Sequence, residues 1–334
     1  MRLLDQHNAT DYLRNAKLIV PGESPTVREL TGGVSNVVLL VERDPQHGDS
    51  FILKQARDRL RVAQLWRCSV ERIWREVATL RTCQRLLASE SASGAASGAA
   101  ITATVPEVLF EDRDNYVFAM TAAPPAHCTW KSRLLAGDIE ADVAAACGRL
   151  LGTIHAGAQS PVDVPAELLD RTFFDDLRVD PYYRRIAAAH PDLQPQIASL
   201  IASLEEHPTA LVHGDFSPKN LLVWPGGLML IDCEVGHWGD PAFDLGFFLS
   251  HLVLKSVYHA SSGGGPASLA AQAMALCPTF WQAYKTAAAL SEQGAAAVEP
   301  RAASNLAGCL LARVDGKSPV DYLAAPAQRD CVRK

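Results

Sequence analysis

Up to about residue 123 the apolar residues come in short, strand-like blocks. "TVRELTGGVSNVVLLVER" gives two such blocks around a Gly-Gly turn, and "SFILKQAR" supplies a third. The series is broken by "RVAQLWRCSVERIWREVATLRTCQRLLAS", where Ile73, Val77, Leu80 and Leu87 recur at helical spacing and share a face. Ser89 to Ala100, "SESASGAASGAA", is low in complexity and is expected to be a flexible loop. Strand character returns in "VPEVLFEDRDNYVFAM", with Asp112 to Asn115 suited to a hairpin turn.

After "TAAPPAH" the period lengthens. "GDIEADVAAACGRLLGTIHAG" carries an apolar stripe through Val143, Cys147, Leu150, Leu151 and Ile154, and "LQPQIASLIASLEEH" predicts another helix. Beyond Asp240 nearly everything reads as helix, broken by "SSGGGP" near residue 263. The pattern predicts an α+β chain of two lobes. A small β-rich lobe covers residues 1–123 and a larger, mainly helical lobe covers 124–334, with the hinge at Pro124-Pro125.

Composition narrows the function classes. A formal net charge of −6 argues against a general nucleic-acid binder. No apolar run approaches the roughly 18 residues of a membrane helix, and "MRLLDQHNATDYLRNAKLIV" has no signal-peptide core. The eight cysteines form no C-x-x-C pair and are expected to be buried thiols in a reducing compartment, the cytoplasm by default.

One stretch breaks the apolar pattern sharply. "LVHGDFSPKNLLVW" sets His213, Asp215, Lys219 and Asn220 between two apolar runs. Taken alone it fits either an ordinary polar turn or a catalytic loop at a strand end. The residues that follow, "PGG" and "LMLID", predict a hairpin turning at Pro225-Gly226-Gly227, which returns Asp232 to the neighbourhood of Asn220. An amide oxygen beside a carboxylate suits a hard cation such as Mg²⁺. Asp215 is then placed to orient or deprotonate an incoming hydroxyl.

"HGDFSPKN" followed by "IDCE" resembles the catalytic core of the aminoglycoside phosphotransferase and choline kinase superfamily, which shares the protein-kinase-like fold. The resemblance implies that Asp215 is the catalytic base, that Asn220 and Asp232 hold Mg²⁺ on the phosphates of ATP, and that His213 shapes the loop. It also demands a strand lysine and a helical glutamate. "FILKQAR" offers Lys54 and "WREVATL" offers Glu76, with Glu71 a less suitable partner. The turn holding Gly32, Gly33, Ser35 and Asn36 would cover the ATP phosphates, and adenine would lie against backbone from Met120 to Ala122.

"DCE" stands where protein kinases have D-F-G, and no A-P-E follows, which argues against protein substrates. The D-x-E form is similar to that of the methylthioribose kinase and choline/ethanolamine kinase branches, which implies a metal role for Glu234, and "HWGDPAFDLGFFLSHLVLK" resembles the methylthioribose kinase segment, which implies a bracing role for Asp244. Trp130, His237 and Trp238 are candidates for a substrate pocket, though tryptophans are more often packing residues. Arg313 and Lys317, around a Gly turn, either reach the cleft to hold an anionic or polyhydroxyl substrate or form an ordinary helix end. His251, Lys255 and His259 share one helix face. The lysine among them argues against a metal, so a polar face is expected. The implied activity is ATP-dependent phosphorylation of a small-molecule hydroxyl on a sugar, amino alcohol or similar metabolite. The alternatives are an aminoglycoside-modifying phosphotransferase and a catalytically silent nucleotide-binding regulator. No motif names the acceptor or the oligomeric state.

Overall fold

The computed structural model describes residues 3–30, 36–57, 69–92, 101–261 and 267–334. Strands β1 (Thr26–Glu29), β2 (Asn36–Glu42), β3 (Phe51–Ala56), β5 (Val108–Asp112) and β6 (Val117–Thr121) form an antiparallel sheet in the order β1-β2-β3-β6-β5. Strand alternation sorts its side chains. Val37, Leu39, Val41, Phe51, Leu53, Val117 and Ala119 pack under the N-terminal helix α1 (Ala9–Asn15). Ile52, Ala56, Phe118 and Met120 point the other way, into a core shared with helix α2 (Arg72–Ala92). Lys54 lies between Ile52 and Ala56 and so belongs to the α2 side.

One expectation shifts here, at the helix's end; residues 58–68, the first part of the stretch before it, lie outside the described residues. The described helix starts at Arg72, and it runs through Ser89 to Ala92, four residues into the low-complexity stretch. Small residues such as Ala and Ser do not by themselves stop a helix whose preceding turns are already packed.

The segment around residues 213–220 has its own sheet. Strands β9 (Leu221–Trp224) and β10 (Gly227–Leu230) form the expected hairpin, turning through Pro225-Gly226 with Gly227 already in strand opposite Trp224. β7 (Cys128–Thr129) pairs with β9, and β4 (Thr102–Thr104) pairs in parallel with β10. The segment at 102–104 thus sits with the hairpin although it precedes residue 123. A two-stranded piece, β8 (Ala210–Val212) with β11 (His237–Gly239), closes beside it.

Helices supply the remainder: α3 (Trp130–Ala136), α4 (Ala141–Gly157), α7 (Gln194–Glu206), α8 (Ala242–Ser261), α9 (Ala267–Ala287), α10 (Glu292–Asp315) and α11 (Pro326–Arg333). Between α4 and α7 one helical run comprises α5 (Thr172–Phe174), a π-helical stretch Asp175–Arg184 and α6 (Arg185–Ala189). No helix among the described residues is long and apolar enough to cross a membrane. Of the described cysteines, Cys83, Cys147, Cys233 and Cys309 are buried, whereas Cys128 and Cys331 are exposed and Cys277 is intermediate; all seven are free thiols. The expectation of uniformly buried cysteines therefore fails at the chain's surface positions. Cys68 lies outside the described residues.

Candidate active site

Lys54 Nζ donates to Glu76 Oε1 at 2.8 Å and to Asp232 Oδ1 at 3.0 Å. The local reasons are simple. Glu76 lies on α2 between Ile73 and Leu80, the face that packs on the sheet, and Lys54 points at that face from β3. Burial pushes the Glu76 carboxyl up to about 7, against the pull of Lys54. Asp232 is also pushed up by burial, but Lys54 and Lys219 outweigh that and hold it below the usual carboxylate range. Glu71 instead bonds Tyr116.

The geometry of the His213–Asn220 loop is set by Asp244 at the start of α8. Its two oxygens accept the backbone N–H groups of His213 at 2.6 Å and Gly214 at 2.9 Å. His213 Nδ1 accepts from the Asp215 N–H at 3.1 Å, so the proton sits on Nε2, which donates to the Ile231 carbonyl at 3.2 Å. Burial lowers the His213 pKa and keeps the ring neutral. Asp215 Oδ2 receives Asn220 Nδ2 at 2.8 Å, Lys219 at 2.8 Å and Arg178 at 3.0 Å. Burial raises the Asp215 pKa, and Arg178 followed by Lys219 more than reverses this. All three contacts fall on Oδ2, and among the described residues Oδ1 receives none. The Ile231 N–H donates to the Asn220 backbone carbonyl at 2.9 Å, which sets Asn220 and Asp232 side by side across the hairpin.

Glu234 Oε2 accepts from Asn36 Nδ2 at 3.0 Å and Arg72 Nε at 3.2 Å. Arg72 also reaches Asn36 Oδ1 at 3.3 Å. The side chains of Asn36 and Glu234 are thus engaged with each other and with the buried Arg72, and this network ties β2 and α2 to the segment after the hairpin. Gly32, Gly33 and Ser35 lie outside the described residues. Met120 is a buried residue of β6, and the chain leaves the sheet at Ala122, which is part-buried against the core shared with α2.

The substrate-pocket candidates separate. Trp130 is fully buried and stacks with Phe248 at 5.9 Å. His237 is buried on β11, 4.2 Å between ring centroids from Phe174, with Nδ1 3.0 Å from the Val235 carbonyl. Both pack against neighbouring aromatic rings. Trp238 is part-buried against the main core. Arg313 donates to the Tyr182 hydroxyl at 3.0 Å and the Ser318 carbonyl at 2.6 Å, whereas Lys317 is exposed with its N–H on the Pro181 carbonyl. The Gly316 turn is extended rather than left-handed, so the helix does not end in a glycine cap of the usual kind. His251, Lys255 and His259 do not form a solvated polar face: all three are buried, and His259 Nε2 lies 2.7 Å from the Leu134 carbonyl. The 20-residue α8 is covered on several sides, a fact that helical spacing cannot report.

Arg178 was not visible as a site residue in the sequence. It reaches Asp215 from the π-helical stretch, 37 positions upstream, and no local pattern marks it. Lys219 sits inside "HGDFSPKN", four residues after Asp215, and that spacing in a loop motif was the available signal.

Among the described residues no three or more His, Cys, Asp or Glu side chains gather as a metal cluster. The amide oxygen of Asn220 and the Asp232 carboxylate are hard donors all the same. A pair of them fits a divalent cation that takes its other ligands from phosphate oxygens and water.

A model of the phosphotransferase enzyme family matches residues 26–290. The chain belongs to this family. Methylthioribose kinase 2 of Oryza sativa subsp. japonica is 26% identical over 286 residues, covering 76% of this chain and 63% of that protein. The chain thus spans less than two thirds of the length of its rice relatives. Among solved structures, a choline kinase from Cryptosporidium parvum Iowa II superposes with a TM-score of 0.55 at 11% identity, covering 92% of this chain and 88% of that one. Amicoumacin kinase, in complex with AMP-PNP, Ca²⁺ and Ami, gives 0.54 at 16% identity over 98% and 91%. The chain shares the kinase-like α+β fold of these two structures, a sheet region joined to a larger helical part.

Proposed function

We propose that this phosphotransferase is an ATP-dependent kinase of a small molecule bearing a hydroxyl group. One observation carries the reading: Asp215 and Asn220 lie 2.8 Å apart in a loop whose neighbour Asp232 is joined at 3.0 Å to the Lys54–Glu76 pair. Phosphoryl transfer asks for these groups in one cleft, since catalysis there is mostly positioning and charge stabilisation. Lys54, held by Glu76, positions the α- and β-phosphates. Asn220 and Asp232 would hold a divalent cation, taken as Mg²⁺, which would supply charge neutralisation on the nucleotide phosphates. Glu234, held by Arg72 and Asn36 and two residues after Asp232, would join the cation through water. Asp215 Oδ1 accepts the hydroxyl proton as the substrate oxygen bonds to the γ-phosphorus and the bond to the bridging oxygen of ADP breaks. The depressed pKa of Asp215 suits a group that orients the hydroxyl and takes its proton late in the transfer.

The cleft separates lobes at 1–123 and 124–334, apart from β4. A relative named for methylthioribose and same-fold neighbours named for choline and amicoumacin support a small-molecule acceptor. The AMP-PNP and Ca²⁺ of the amicoumacin kinase support ATP and a divalent cation. Free thiols at the described cysteines support a cytoplasmic setting. An aminoglycoside acceptor is disfavoured, because a polycation would meet Lys219, Arg178 and Arg313.

Replacing Asp215 with Asn tests the assignment. Transfer to the best acceptor should fall by roughly 10²- to 10⁴-fold, the usual worth of a positioned general base, while ATP affinity stays within a few fold. Unchanged transfer in Asp215→Asn would remove Asp215 from the chemistry.

A further inference from the structure

One face of α8 carries Phe247, His251 and Lys255 at four-residue intervals, all buried. It continues directly from the reaction centre. Arg178, bound to Asp215 at 3.0 Å, stands 5.9 Å over the Phe247 ring, and Phe247 lies 5.0 Å from the His251 ring. Tyr182 packs on Phe247 at 5.8 Å and takes a hydrogen bond from Arg313. At the far end the Lys255 ammonium, 1% exposed, donates to the Tyr322 hydroxyl at 2.8 Å. Lys131 stands 5.6 Å from the same Tyr322 ring.

The charge in this region does not balance. Among the described residues the Lys255 ammonium has a phenol oxygen as its hydrogen-bond acceptor and no carboxylate. His251 Nε2 and Arg313 Nε are buried there without a partner. Asp321, whose charge acts on Lys255, is itself held by Lys131 at 3.0 Å. Burial, with Arg313 and Lys131 beside it, drives the Lys255 pKa well down, and burial with Lys255 and Arg313 does the same to His251. A buried cation without a counter-charge is costly, and unpartnered buried donors are rare in native proteins. An anion would satisfy these groups at once, through charge-assisted hydrogen bonds.

We propose that His251, Lys255 and Arg313 form an acceptor subsite for an anionic group, so that the molecule phosphorylated at Asp215 carries a carboxylate or phosphate as well as its reacting hydroxyl. This inference rests on the kinase reading for the word acceptor, but the anion site itself does not depend on it. The class of substrate is a hydroxy acid, sugar acid or sugar phosphate rather than a neutral sugar or a polycation.

The test titrates the full chain, in the presence of AMP-PNP and Mg²⁺, with a panel of four- to six-carbon sugar acids and sugar phosphates. Each is compared with its neutral polyol or sugar, and ATP-driven transfer to the same panel is measured in parallel. At least one anion should bind about tenfold or more tightly than its neutral counterpart, the worth of a hydrogen bond to a charged group. Carboxylate and phosphate arms then separate the two sources of charge. Lys255→Met should abolish the preference while leaving AMP-PNP affinity unchanged, and Asp215→Asn should keep anion binding while losing transfer. Anion binding that Lys255→Met weakens, with no member of the panel phosphorylated, would keep the subsite and discard the kinase reading. Preferential phosphorylation of neutral members, no preferred anion in the wild type, or a preference untouched by Lys255→Met would each overturn the subsite. The wild-type comparison decides the matter even where the variant folds poorly.

Discussion

His237 shows how far burial can override a residue's usual chemistry. In the sequence it was a candidate for a substrate pocket, yet it is packed against Phe174 and its pKa is pushed down to about 4, by burial first. The folded protein therefore keeps this ring neutral where the unfolded chain takes up a proton. As pH falls from about 6.5 to about 4 the unfolded state gains that proton and the folded state does not, so folding stability drops in this window. The contribution is on the order of 3 kcal/mol. Chemical denaturation of the wild type and His237→Phe at pH 7 and pH 4.5 should show the variant losing less stability on acidification; parallel losses would contradict it. Asp215, Asp232 and Asp244 have depressed pKa values and act in a lower window: their contribution is present above the ordinary carboxylate range and is lost only on further acidification. Motif residues such as Asp215, Asn220 and Asp232 were legible because their spacing is fixed by a short loop and one hairpin. Arg178 was not, because its distance to Asp215 is set by the packing of a helical run far upstream.

At the scale of elements, two glycines of the catalytic segment make different demands. Gly214 has φ +76°, and a Cβ there would lie 2.8 Å from Val235 Cγ2 and 3.0 Å from the Val235 carbonyl oxygen. Gly226, at the hairpin turn, has φ +82° with open space around it. Gly226→Ala should therefore cost about 1 kcal/mol, the left-handed penalty alone, and leave turnover near wild type. Gly214→Ala should cost more in a urea melt and reduce turnover, because either the loop or Val235 must move. Equal losses in both variants would show that the close approach to Val235 has no consequence. The turn at Gly226 could be read from "PGG". The tight fit at Gly214 could not, since Val235 reaches it across the segment after the hairpin. The α8 face at His251 and Lys255 was misjudged for a related reason. Helical spacing identifies which residues share a face, and says nothing about what covers it.

For the whole molecule, the sheet region and the helical region meet through charged side chains as well as apolar ones. Lys54 with Asp232, and Arg72 and Asn36 with Glu234, bridge residues more than 160 positions apart in the chain. Nucleotide and cation seated between Lys54, Asn220 and Asp232 should stabilise both sides together. At a ligand concentration about 100 times its dissociation constant the gain is roughly 2.7 kcal/mol. A thermal melt with AMP-PNP and Mg²⁺ should rise by several degrees relative to either alone, and a chelator should remove both the rise and phosphoryl transfer. A melt indifferent to the chelator would speak against the cation at Asn220 and Asp232. The sequence by itself determined the strand-rich and helical halves, the hairpin and the set Lys54, Glu76, Asp215, Asn220 and Asp232, because these depend on local period and short spacing. Tertiary structure alone decided that Arg178 clamps Asp215, that Glu234 is held by Arg72, that β4 joins the hairpin sheet and that Lys255 is buried with no carboxylate partner among the described residues. Each of those depends on which distant surfaces exclude water from one another, and that is a property of the packed chain rather than of any segment.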